Sequence, residues 1–207
     1  MERKILLATT NSTKVEKMKY CLEGLGFNYL AIDDFEQKPE FDETGESYEQ
    51  NAIIKALAWS KIVDCLVMAS DGGVTIPVLG RKWNGLATHR FAGETASEID
   101  RCEALLKIMA KHQEPGQRII YWNEGLAVAK KGRLVVSWEE SGEKGFLAKT
   151  YDKQKMLAGW WLASLWIVPG TERIYSELND NERRVEDDSH GVWLQLKQKV
   201  QEFFKNA

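Results

Sequence analysis

The sequence predicts an α/β fold, with helices packed against a sheet. Residues 5–73 alternate strand and helix patterns in the order βαβαβ, and a strand-rich middle segment lies between helical ends. That arrangement suggests one domain over residues 1–207 built as two lobes, with the cleft between them as the natural ligand site. A chain of 207 residues fits such a domain, since single domains reach about 250 residues.

Each element has its own signal. Residues 5–8 read as a short buried strand. Ser12 or Thr13 then caps a helix over residues 14–25, where Val15, Met18, Cys21, Leu22 and Leu25 recur at helical spacing before Gly24 and Gly26 end it. "NYLAIDDF" gives a second strand, "EQKPEFDETGE" an acidic loop, and Ser47 caps a second helix over residues 48–63. "DCLVMASDGG" reads as strand and turn. An amphipathic helix follows over residues 95–111, then the loop "HQEPGQ". Residues 118–148 alternate as two or three antiparallel strands joined by "KKGR". The last helix, from "HGVW" onward, has Val192, Leu196, Val200 and Phe203 on one face.

Composition narrows the function classes. With 43% hydrophobic and 29% charged residues, and no apolar run near the ~20 residues that span a bilayer, the chain reads as soluble and without a membrane partner. "MERKILLATT" lacks the apolar length and cleavage site of a secretion signal, so it is read as strand. A net charge of −3 disfavours a nucleic acid polymer as partner. Three scattered cysteines, Cys21, Cys65 and Cys102, argue against a disulfide framework and suit a reducing cytoplasm. There is no internal repeat. No G-x-S-x-G elbow accompanies His89, His112 or His190, and neither G-x-G-x-x-G nor G-x-x-x-x-G-K-[ST] occurs.

Three stretches carry candidate chemistry. In "ATTNSTK" a strand runs into a polar turn and a helix N-terminus, where phosphate binds readily. Thr9, Thr10, Asn11, Ser12 and Thr13 offer short side-chain donors and Lys14 a full charge, a composition that suits phosphate or ordinary helix capping. "KPEFDETGESYEQNAIIKA" places Glu40, Asp42, Glu43, Glu46 and Glu49 ahead of Lys55. Such carboxylates suit magnesium or form a solvated acidic loop. In "VMASDGGV", Asp71 at a strand end can bind metal or take a proton from water, and the glycines after it allow close backbone approach. A turn-forming Asp-Gly is the plainer alternative. In "GWWLASLWIVPG", Trp160, Trp161 and Trp166 offer π faces to a base or core packing beneath the sheet.

Taken in order, these motifs resemble the inosine/xanthosine triphosphate pyrophosphatase family. "TTNSTK" follows T-G-N-x-x-K with Thr10 in place of glycine, and "ETGESYEQNAIIKA" closely follows E-T-G-x-[ST]-[FY]-x-E-N-A-x-x-K-A. "ASDGG" keeps the second aspartate of A-D-D-S-G as Asp71, and "LATHRFAG" resembles Y-S-A-R-[YF]-[SA]-G with Arg90 on the arginine. The match spans most of residues 4–110. The resemblance implies a long mixed sheet flanked by helices, a nucleotide in the cleft, a Mg2+ cofactor and a homodimer. It also implies hydrolysis of a deaminated purine nucleoside triphosphate to monophosphate and pyrophosphate. A catalytically silent nucleotide-binding or sensor paralogue is the alternative.

The roles follow residue by residue. Asp71 would orient or deprotonate the attacking water. Glu43 and Asp71 would hold metal with Glu40 and Glu49 as further candidates. Thr9 to Lys14, Lys55, Gly72 and Arg90 would bind substrate. The C-terminal third departs from the pattern: Ala163 and Ser164 fall where F-G-Y-D-P has aspartate and proline, Arg173 stands for a lysine, and "SHG" keeps Ser189 and His190 but has Gly191 in place of arginine. The resemblance thus adds Arg173 and His190 to the substrate residues and implies altered or relaxed base selectivity.

Overall fold

The computed structural model describes residues 3–206. Six strands, β1 (Arg3–Leu7), β2 (Phe27–Ala31), β3 (Leu66–Thr75), β4 (Ile119–Lys130), β5 (Arg133–Leu147) and β6 (Trp166–Ile167), form one sheet in the order β2-β1-β3-β4-β5-β6. The sheet is mixed: β1 runs parallel to both β2 and β3, and β6 antiparallel to β5. The helices are α1 (Ser12–Leu22), α2 (Tyr48–Ser60), α3 (Glu98–Ile108), α4 (Asp180–Ser189) and α5 (Val192–Asn206). Among the described residues, no helix is long and apolar enough to cross a membrane.

The chain divides into two compact units. The first takes residues up to 72, 124–140 and those from 192 on, and the second takes 73–123 and 141–191. In the first unit, register explains the layering. Leu6 lies beside Leu30 and Val67, and these pack with Ala69, Ala127 and Ala129 against Ala52, Ala56 and Trp59 of α2. Residues one position away point to the other face, as alternation in a strand requires. There Phe27 meets Phe204 of α5 edge to face, with ring centroids 5.0 Å apart. α5 also packs on α1, where Lys197 pairs with Glu23 at 2.9 Å.

The second unit is built on a cluster that joins Cys102, Leu105 and Met109 of the α3 region to Leu147, Leu162, Leu165, Trp166 and Val168. Ser97 caps α3, and its hydroxyl and Asp100 form a reciprocal capping box. Arg118 is 4% exposed, and its guanidinium donates to the carbonyls of Met109, His112, Leu147 and Ala148. It thereby ties the end of the α3 region to the end of β5.

Several expectations are corrected. Asn11, rather than Ser12 or Thr13, caps α1, because its Oδ1 reaches the Lys14 N–H at 3.1 Å and lets the helix start at Ser12. β2 stops at Ala31, where Asp34 accepts from the Ala31 N–H and a short 3₁₀ turn begins. β3 does not turn at Asp71-Gly72-Gly73 but continues extended to Thr75, so Asp71 lies within a strand. On α5, Phe204 is the buried phenylalanine, while Phe203 is half-buried and meets Trp138. Trp161 and Trp166 are core residues at 5% and 2% exposure, which gives the packing role to both. α4 was not expected, since its residues are nearly all polar. Its signal is the capping box that Asn179 and Glu182 form.

Candidate functional site

The first unit assembles the phosphate and carboxylate candidates around the end of β1 and the middle of β3. The buried run Ile5–Ala8 holds the turn in place, with the Ala8 N–H donating to Met68 O at 2.8 Å. Thr9 Oγ1 accepts from the Asn11 N–H at 3.1 Å, so Thr9 and Asn11 shape the turn by side-chain to backbone bonds. Thr10 and Ser12 are exposed, and Thr13 is half-buried in the first turn of α1. Lys14, one turn in, sits 3.4 Å from Glu124 Oε1 on β4. Glu124 is fully buried.

α2 delivers the second group. Its start is fixed by Ser47, whose hydroxyl accepts from the Gln50 N–H, and by Glu139, whose carboxylate accepts from the Glu49 N–H at 2.8 Å, a negative charge at the helix's positive end. Gly125 of β4 backs directly onto that helix start, and a Cβ there would overlap the Tyr48 carbonyl and the Glu49 nitrogen. From this anchored helix, Lys55 donates to Ser70 O at 3.1 Å and pairs with Glu43 Oε1 at 2.8 Å. Asn51 Nδ2 donates to Asp71 Oδ2 at 2.9 Å, while Asn51 Oδ1 accepts from the Gly45 N–H at 2.8 Å. One buried amide therefore orients Asp71 and closes the acidic loop together.

Asn51 and Glu124 were not singled out from sequence. Asn51 had a signal, since it is the asparagine within "EQNAIIKA". Asn51→Leu is expected to remove both bonds at a cost of about 2 kcal/mol in stability, read as a fall in chemical-denaturation midpoint. It is also expected to lower turnover by more than about tenfold through a misdirected Asp71. Unchanged turnover in that variant would remove Asn51 from the site.

Some candidates are not gathered. Glu40 is exposed in the acidic loop, and Glu49 accepts from the Ser137 hydroxyl at 2.6 Å, turned toward β5. Among the described residues no three His, Cys, Asp or Glu side chains converge on a metal position. What remains is the oxygen chemistry of Glu43 and Asp71, with the buried Ser70 hydroxyl lacking a hydrogen-bond partner. That donor set fits magnesium, which binds through one or two carboxylates, waters and substrate phosphates.

The second unit holds Arg90, Arg173 and His190, all exposed. Arg173 is held by Glu182 at 2.7 Å and by Glu177 O at 3.1 Å, and the guanidinium keeps Glu182 below the usual carboxylate range. His190 Nε2 lies 3.0 Å from Glu186. Arg101 of α3 donates to His89 O at 2.7 Å, fixing the backbone beside Arg90. Ala163 is fully buried in the short turn over Trp161–Ser164. Gly191 has a φ of 103°, and a Cβ there would come within 2.7 Å of Glu143 Oε2, which accounts for glycine at that place. Burial pushes the Cys21, Cys65 and Cys102 thiols up, Cys102 to about 12, so none is a thiolate nucleophile.

The Ham1 family model matches residues 5–185. A dITP/XTP pyrophosphatase from Bacillus subtilis is 30% identical, over 87% of this chain and 88% of its own length. One from Bacillus licheniformis is 28% identical over 87% and 89%. One from Streptococcus thermophilus is 30% identical over 90% of this chain, which spans only 55% of that longer protein. Among solved structures, a HAM1 protein from Coxiella burnetii shares the fold with a TM-score of 0.79 over 99% of this chain and 100% of that one, at 24% identity.

Proposed function

Because the chain belongs to the Ham1 family, we propose that it hydrolyses deaminated purine nucleoside triphosphates, such as ITP, XTP or dITP, to the monophosphate and pyrophosphate. The observation that carries this reading is the joined group in the first unit, in which Lys55 spans Glu43 and the Ser70 carbonyl while Asn51 aims Asp71. The relatives named dITP/XTP pyrophosphatase supply the substrate class.

The reaction breaks the bond between the α-phosphorus and the bridging oxygen to the β-phosphate. Asp71, held by a neutral amide and half-buried, orients a water against the α-phosphate and receives its proton. Lys14 and Lys55 neutralise the charge that gathers on the pyrophosphate leaving group. Thr9 to Thr13 and the first turn of α1 hold phosphate oxygens, with Gly72 leaving room beside Asp71. Magnesium, when held by Glu43 and Asp71, supplies Lewis-acid neutralisation of the triphosphate. Arg90, Arg173 and His190 keep the substrate-binding role that the resemblance implies. We place the protein in the cytoplasm as a homodimer, as the resemblance suggests.

A panel of ITP, XTP, dITP, ATP and GTP, followed by pyrophosphate release with and without magnesium, tests this reading. Magnesium-dependent release that favours the deaminated bases is expected, with discrimination narrowed by Ala163 and Gly191. Binding of these nucleotides without release from any of them would contradict it and favour the silent paralogue.

A further inference from the structure

The sheet order gives β5 only β4 and β6 as neighbours, and β6 is a two-residue strand that pairs with Phe146 and Leu147. Among the described residues, no strand therefore runs beside the outer edge of residues 133–140, the part of β5 that belongs to the first unit. The N–H and C=O groups along such an edge form a template for another strand. Both faces of this segment are nonetheless covered, as in an inner strand. On one face Trp138 meets Phe203 of α5, with ring centroids 6.0 Å apart, and Glu140 pairs with Lys199. On the other, Ser137 and Glu139 hold Glu49 at the start of α2, at 2.6 and 2.8 Å. Leu134 and Val135 are 44% and 42% exposed, and alternation puts them on opposite faces. What they share is the open edge.

Natural sheets blunt an open edge with charge, proline or a bulge. Residues 134–138 read Leu-Val-Val-Ser-Trp, without charge or proline, and the charges lie at the ends: Arg133 before, Glu139 and Glu140 after. A strand that is basic at one end, apolar in the middle and acidic at the other complements itself when turned end for end. We propose that residues 133–139 of β5 pair antiparallel with the same strand of a second copy, about a two-fold axis at Val136. Arg133 then lies opposite the partner's Glu139 and Leu134 opposite the partner's Trp138, each pair formed twice. Odd residues meet odd and even meet even, so every side chain stays on its own face. An axis at Val135 would shorten the overlap to residues 133–137, and one at Ser137 would set Leu134 against the partner's Glu140. This rests on the homodimer reading above and deepens it by naming the surface.

Sedimentation equilibrium of the full chain reads the association. A wild-type dimer is expected, and Val135→Lys and Arg133→Glu are each expected to raise its dissociation constant about tenfold, since each change counts twice across the two-fold axis. Arg133→Glu acts by setting like charges opposite one another, so its effect should shrink in about 1 M salt. Both positions are exposed in the single chain, so circular dichroism should show the fold retained. Val136→Cys is expected to give a disulfide-linked dimer on oxidation, because directly opposed residues of antiparallel strands lie about 5 Å apart at Cα, within disulfide reach. Leu134→Cys should not cross-link, since its counterpart lies about 13 Å away along the strand. The native cysteines are buried and do not compete.

A dimer whose dissociation constant neither substitution moves overturns the β5 interface and leaves the homodimer reading on another surface. Cross-linking through Leu134→Cys in place of Val136→Cys, or through neither, overturns the two-fold pairing at Val136. A wild-type chain that stays monomeric at every concentration brings down the homodimer reading itself, and the proposal with it. Val135→Lys and Arg133→Glu carry the test by themselves if Val136→Cys does not fold.

Discussion

Asp71→Asn is expected to lower kcat by about 10³-fold, the scale of a lost general base, with a melting temperature within about 2 °C of wild type. The expectation of a silent fold follows from geometry. Asp71 is half-buried, and an asparagine keeps the oxygen that accepts from Asn51 Nδ2 at 2.9 Å. What it loses is the charge and the basicity. KM should change far less than kcat, since Lys14, Lys55 and the α1 turn still hold the phosphates. Steady-state pyrophosphate release beside a thermal melt reads both numbers. Turnover near the wild-type rate would remove Asp71 from the chemistry.

Gly125→Ala is expected to be the most damaging small substitution in the first unit. Its Cβ would overlap backbone atoms of Tyr48 and Glu49, and backbone at a helix start cannot step aside as a flexible side chain can. Overpacking of this kind costs about 3 kcal/mol, which at about 3 °C per kcal/mol for a chain of this size corresponds to about 9 °C in melting temperature. The damage reaches function because α2 carries Asn51 and Lys55, so a shift of its start moves both away from Asp71 and Ser70. A melt within about 2 °C of wild type would show that α2 does not dock on β4 as described.

The legible parts of the fold were those with local signals. Ser47 as an N-cap announces α2, and the apolar runs of β1 and β3 announce strands. α4 escaped notice because it buries almost nothing, and helical periodicity of apolar residues is then absent. Asp71-Gly72-Gly73 read as a turn because glycine pairs usually mark one, yet the pairing of β3 keeps the chain extended. On α5 the apolar spacing points to Phe203, one position short of the buried Phe204.

The site shows the same division. Motifs pointed to Lys14, Glu43, Lys55 and Asp71, which the first unit does hold in specific contacts. They could not reveal Glu124, whose meaning comes from strand β4 meeting a helix start from the far end of the sequence. Nor could they tell that Glu49 is spent on Ser137, or that Ala163 lies inside the core of the second unit. Those facts depend on which face a strand or turn presents, and a one-residue difference reverses that.

Product identity in ¹⁸O-labelled water reads out hydrolysis at the α-phosphate. Incubation of dITP with the full chain and magnesium is expected to give dIMP carrying one ¹⁸O and unlabelled pyrophosphate. Release of dIDP and labelled inorganic phosphate would place the attack at the γ-phosphate and contradict the account.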